Sequence, residues 1–153
     1  MNTPTPQRLH TLHRAAVFSL TALLLAMLWG FAGVAKLTSG GVPTWFADQF
    51  NKTFLATFPG LPASFYSIAI LESLAALLAL LSLLRGEFIR AVTPLFLRLS
   101  LLVSLALFVQ LSLGKQLLSD FDGIHDLYMY FAGTLVILFL VRHLDNTPPP
   151  PAR

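Results

Sequence analysis

Two ionisable residues stand where the surrounding sequence makes charge costly. Glu72 is the only charge between Leu61 and Leu84, and Lys36 closes an uncharged run from Ala15 to Ala35. Ionisable side chains inside a membrane usually face the interior of a helix bundle and take a partner there. With Phe65 at the membrane surface, Glu72 would lie about 10 Å deep on a helix. A lysine stem and a glutamate side chain can together bridge that gap when Lys36 turns inward. Two readings of Glu72 stay open: a neutral or paired carboxyl that fixes helix packing, and a group that takes part in proton or redox chemistry.

Other polar residues fall in the same half of the expected bundle. Gln110 and Lys115 lie near the end of a third apolar run, and His125, Asp126 and Tyr128 open a fourth. Spans that alternate in direction bring Lys36, Glu72, Gln110, His125, Asp126 and Tyr128 to one half of a bundle. Above them, Phe46, Phe50, Phe54 and Phe58 recur every fourth residue, with Trp45 beside the first. Polar groups beneath an aromatic lid suit a quinone head group, whose carbonyls need hydrogen-bond donors. His125 has a plainer reading as an interface residue. His125 and Asp126 do not form a dyad, because adjacent helical side chains point about 100° apart. No metal site is expected: the four histidines are scattered, and only the loose group Asp122, His125 and Asp126 offers neighbouring ligands. The chain has no cysteine, which excludes thiol chemistry within it. It also has no phosphate-binding loop, nucleophile elbow or haem-attachment motif.

The elements that must position these residues follow from composition. Of the 153 residues, 56% are hydrophobic and 11% charged, too few polar groups to coat a water-soluble fold. The predicted fold is an all-α, four-helix transmembrane bundle with spans at about 15–36, 62–84, 91–113 and 124–141. The first run is longer than the core of a cleaved leader and is read as a span. An amphipathic helix over about 44–58 should occupy the loop between the first two spans, ended by Pro59-Gly60-Leu61-Pro62. Its aromatic stripe suits the headgroup layer or the top of the bundle, and both placements are compatible. Small residues Ala22, Ala26, Gly30 and Gly33 line one face of the first span, and Ala69, Glu72, Ala76 and Ala79 one face of the second. These faces should pack together. Residues 1–13 are expected to be flexible, Gly114 to Gly123 a polar loop, and 143–153 a proline-rich disordered tail. Arg98, about seven residues into the third span, is expected to snorkel to the headgroups rather than pair with an acid.

Basic residues set the expected orientation. Arg8, Arg14, Arg85, Arg90, Arg142 and Arg153 fall on one side, and Lys36, Lys52 and Lys115 on the other. The positive-inside rule puts the arginine side, with both termini, in the cytoplasm of what would be a bacterial inner membrane. No basic run or nucleic-acid motif is present, so lipids and membrane proteins are the expected partners.

The sequence resembles the DoxX and MauE-like superfamily of small four-helix membrane proteins. Gly33-Val34-Ala35-Lys36-Leu37 is similar to the ending of that family's first helix. An aromatic outer loop follows, then Glu72 within Ala69-Ile70-Leu71-Glu72-Ser73-Leu74 and a close at Arg85-Gly86. Arg14 sits where the family often opens its first helix. The likeness covers about Arg14 to Val141. It implies a membrane subunit beside a redox enzyme, linked in relatives to quinone-coupled sulfur oxidation, cofactor maturation or oxidative-stress complexes, rather than a stand-alone enzyme. It carries Lys36 and Glu72 over as the shared polar positions. Two other expectations stand beside it: an accessory subunit that anchors a larger complex, and a small proton-coupled transporter that uses Glu72.

Overall fold

The computed structural model describes residues 6–57, 59–89 and 92–147, and every regular element among them is helical. α1 (Pro6–Leu37) leads to the short α2 (Thr44–Phe50) and one 3-10 turn, Phe54–Ala56. α3 (Gly60–Arg85), α4 (Leu95–Leu117) and α5 (Phe121–Asn146) follow. α1, α3, α4 and α5 are each long and apolar enough to cross a membrane. The chain is a four-helix transmembrane bundle.

The helices overrun the apolar stretches. α1 is helical from Pro6 onward, so residues 6–13 belong to a helix. α5 continues past Val141 to Asn146. Residues 1–5 and the tail from Pro148 lie outside the described residues. α4 starts at Leu95, after Pro94, and runs to Leu117, so Gly114 and Lys115 belong to the helix and not to a loop.

The α3–α4 connection has two devices. Gly86 ends α3 at φ 65°, a left-handed conformation that glycine adopts without a Cβ penalty, and Glu87 N–H returns to Ser82 O at 3.2 Å. The buried Glu87 carboxylate then accepts from Phe96 N–H at 3.0 Å and Leu97 N–H at 3.2 Å. It thereby satisfies two of the N–H groups that a helix start leaves unpaired.

α3 lies at the centre of the bundle. It packs along α1 on one side and α4 on the other, while α5 packs mainly on α4. The two small-residue faces meet: a Cβ placed on Gly30 would lie 3.7 Å from Ala76 Cβ. A polar chain crosses the core at mid-height. Trp29 Nε1 donates to Ser104 Oγ at 2.8 Å, Ser104 to Ser100 O, and Ser100 Oγ to Ala75 O, each also at 2.8 Å. It links α1, α4 and α3 where no water can satisfy these groups. α1 and α5 touch little, which leaves an apolar cleft of about 510 Å³ bounded by Leu24, Leu28, Phe108, Tyr130 and Ile137.

Replacing the Glu87 carboxylate should expose how much α4 depends on it. Glu87→Ala strands two N–H groups and is expected to cost about 1–3 kcal/mol. Glu87→Gln, which keeps one acceptor, should cost less. Reversible unfolding in mixed micelles reads the order.

Candidate functional site

Lys36 and Glu72 form an ion pair. Lys36 Nζ lies 2.8 Å from Glu72 Oε1 and 2.9 Å from Oε2, so one ammonium bridges both carboxylate oxygens. Glu72 is 3% exposed, while the Lys36 side chain, in the last turn of α1, keeps about a quarter of its surface open. The lysine stem therefore buries itself against α3 and brings its charge to a carboxylate that water does not reach.

Gly33 makes this reach possible. A Cβ at Gly33 would come within 2.9 Å of Ser73 N and 3.2 Å of Glu72 Cβ. The Ser73 backbone cannot move aside as a flexible side chain would. α1 thus lies against α3 one turn before Lys36, at the level of Glu72. The Gly33-to-Lys36 spacing places the contact and the charge on one helix, about one turn apart.

An aromatic plug covers the same end. Phe46 and Phe50 of α2 are buried, with ring centroids 4.9 Å apart, and Phe46 meets Phe65 of α3 at 5.3 Å. Phe65 precedes Glu72 by seven residues, so the plug sits over the same face of α3, about two turns beyond the carboxylate. Phe50 also reaches Gly114 of α4. The expected helix over 44–58 is shorter than its four-residue aromatic spacing suggests. Thr53 ends it: its hydroxyl donates to Phe50 O at 2.8 Å and accepts from Leu55 N–H, turning the chain into the 3-10 turn. The stripe therefore divides. Phe46 and Phe50 face the bundle, Trp45 and Phe54 are exposed, and Phe58 lies outside the described residues.

The remaining sequence candidates do not join the pair. Gln110 is half-buried and donates to Ser67 Oγ, tying α4 to α3 above Glu72. His125, Asp126 and Tyr128 are exposed on α5, and Tyr128 is 66% open. Among the described residues no three His, Asp or Glu side chains gather as a metal site, and Asp122, His125 and Asp126 stay apart. Lys115 instead pairs with Asp120 at 2.6 Å, and Asp120 caps α5 by accepting from Gly123 N–H at 2.9 Å. The Lys115 hydrogen bond, and then that N–H, hold the Asp120 carboxyl below its ordinary range.

The opposite end holds a network that patterning missed. Asp145 accepts from Arg98 at 2.8 Å on one oxygen and from Arg14 at 3.3 Å on the other. Arg98 therefore pairs rather than snorkels. It lies in the first turn of α4, not deep in a span, and α5 extends far enough to present Asp145. Arg14 also donates to Val92 O at 3.1 Å and stacks over the Phe18 ring. The only sequence signal was Asp145 itself, the sole acid beyond Val141.

No family model, no curated protein and no solved structure matches this chain.

Lys36→Ala strands a buried carboxylate. Breaking a buried pair costs about 3–5 kcal/mol, and the partial exposure of Lys36 reduces this to roughly 2 kcal/mol. The exchange Lys36→Glu with Glu72→Lys should recover most of that loss in thermal melts. At the loop, a carboxyl with a lowered folded-state value stabilises above its unfolded value and loses that contribution as pH falls through the folded one. Asp120→Asn keeps the cap but not the charge, so its small deficit in melting temperature at neutral pH should vanish in acid.

Proposed function

We propose that this chain is a DoxX-like integral membrane subunit that supports a redox system and holds a quinone in the half of the bundle containing Lys36 and Glu72. The observation that carries this reading is the donor count at Lys36. An ammonium has three N–H groups, and two of them serve the Glu72 oxygens. The third is available on a side chain that remains partly open, beneath an aromatic plug, and suits a quinone carbonyl. The apolar cleft between α1 and α5 suits an isoprenoid tail and opens toward the lipid in which such a molecule diffuses. His125, Asp126 and Tyr128 face outward on α5 and serve as contacts to a partner subunit in this reading.

Orientation belongs to the same proposal. Among the described residues, the Asp145 end carries Arg8, Arg14, Arg85, Arg98 and Arg142 against Glu87 and Asp145. The Lys36 end carries three lysines against Asp48, Glu72, Asp120, Asp122 and Asp126. The positive-inside rule then assigns the Asp145 end to the cytoplasm and the Lys36 end to the outer face of a bacterial inner membrane.

One observation favours a second reading, a structural subunit that stabilises a larger complex. α5 is the least buried of the four spans and exposes Tyr128, Tyr130, Val136 and Phe139. On this reading Glu72 only fixes packing, and a complex that assembles normally without the chain would count against it.

The two readings separate on the charge-exchanged protein. Lys36→Glu with Glu72→Lys keeps the pair and the fold but moves the ammonium to α3. If Lys36 holds a quinone, the unmodified protein purified in mild detergent should retain it. The exchanged protein should then retain about tenfold less, the worth of one charge-assisted hydrogen bond. Equal quinone content and equal activity of the associated enzyme would remove Lys36 from any quinone site.

A further inference from the structure

The Asp145 end contains a cleft that neither reading uses. About 180 Å³ in volume, it is lined by His10, Thr11 and Arg14 of α1, Ile89 of the α3–α4 connection, and Leu144, Asp145 and Thr147 at the end of α5. Its chemistry is divided. Ile89 and Leu144 form an apolar edge, and the α1 residues and Thr147 form a polar one. Such a division matches the boundary between acyl chains and headgroups, which is where the ends of membrane-spanning helices lie.

The charges around it favour an anion. Arg14 and Arg98 share the single Asp145 carboxylate, so these three groups leave one net positive charge at the cleft. Arg8 and Arg142 add further positive charge at the same end. Asp145 is already engaged by a guanidinium on each oxygen, which lowers its repulsion of a second anion. His10 Nε2 is buried with no hydrogen-bond partner, as is Arg98 Nε. A buried polar atom without a partner is destabilising, and a ligand in the cleft would offset that cost once the His10 ring turns toward it.

We propose that this cleft binds the phosphate of an anionic phospholipid, with His10 and the Arg14 guanidinium toward the headgroup and Ile89 and Leu144 along the first acyl carbons. Basic pockets between membrane helices recognise anionic headgroups by this combination of fixed charge and an apolar flank. The site serves to anchor the ends of α1 and α5, which touch little elsewhere.

The test is native mass spectrometry of the full chain, released from micelles containing equal amounts of phosphatidylglycerol and phosphatidylcholine. One phosphatidylglycerol should be retained in preference, by about fivefold or more, the worth of roughly one basic residue near an anionic lipid. Two variants leave the Arg14–Asp145–Arg98 network intact. His10→Phe removes the headgroup donor, and Ile89→Trp fills the cleft from its apolar side. Both should abolish the preference while keeping the thermal melt of the protein in phosphatidylcholine alone. Equal retention of the two lipids, an unchanged preference in both variants, or loss of the bound lipid to added inorganic phosphate would each overturn the proposal.

Discussion

A charge placed in hydrocarbon must be paired, and pairing requires that two helices come close enough for their side chains to meet. That constraint organises the Lys36 end of this bundle. Glu72 lies inside α3 with no water to solvate it. Lys36 neutralises it only because Gly33 and Gly30 bring α1 against the alanine face of α3. Small residues, the buried acid and the terminal lysine are thus one device spread over two helices. In lipid, where apolar burial gives helices little reason to associate, close packing and polar contacts supply the affinity. The Trp29–Ser104–Ser100 chain extends the same logic to α4.

The two ends solve the charge problem differently. At the Lys36 end one cation serves one buried anion, and an aromatic plug built from α2 and Phe65 closes the top. At the Asp145 end two arginines share one carboxylate, which ties α1, α4 and α5 and leaves the cluster positive. A closed neutral pair suits a fixed structural contact or a single spare donor. A cluster with net charge suits a counter-ion from outside the chain. α3, which packs on both α1 and α4, connects the two ends mechanically.

Much of this was legible in the sequence, and the reasons are specific. Four long apolar runs define four spans, because only complete helices can satisfy their backbone in lipid. The Lys36–Glu72 pairing was readable as a possibility from depth and reach, but not as a fact, since helix order is not encoded in hydropathy. Boundaries were less legible. Gly114 and Gly123 look like loop punctuation, yet the α4–α5 turn is confined to Leu118–Asp120 and uses Ser119 at φ 55°. Phe46, Phe50, Phe54 and Phe58 mimic one helical stripe, and a single threonine hydroxyl divides it. Asp145 was not legible because it acts on Arg14 and Arg98, far away in sequence, and Glu87 because it caps α4 from across the α3–α4 turn rather than from the position just before the helix. The convergence of His125, Asp126 and Tyr128 on Glu72 was a topological inference. The three residues lie in the first turns of α5 and are exposed there, and the face of α5 that carries them was not fixed by the sequence.

The close approach of α1 and α3 is the claim on which the rest stands, and the absence of cysteine makes it directly testable. Gly30→Cys and Ala76→Cys place two Cβ atoms 3.7 Å apart, within the range of an unstrained disulfide. After oxidation in native membranes and unfolding in SDS, neither thiol should remain open to a maleimide label. The control pair Gly30→Cys with Leu84→Cys should label at both positions. Two labelled thiols in the first pair would mean that the helices do not meet as described, and neither the buried ion pair nor a site built on it would stand.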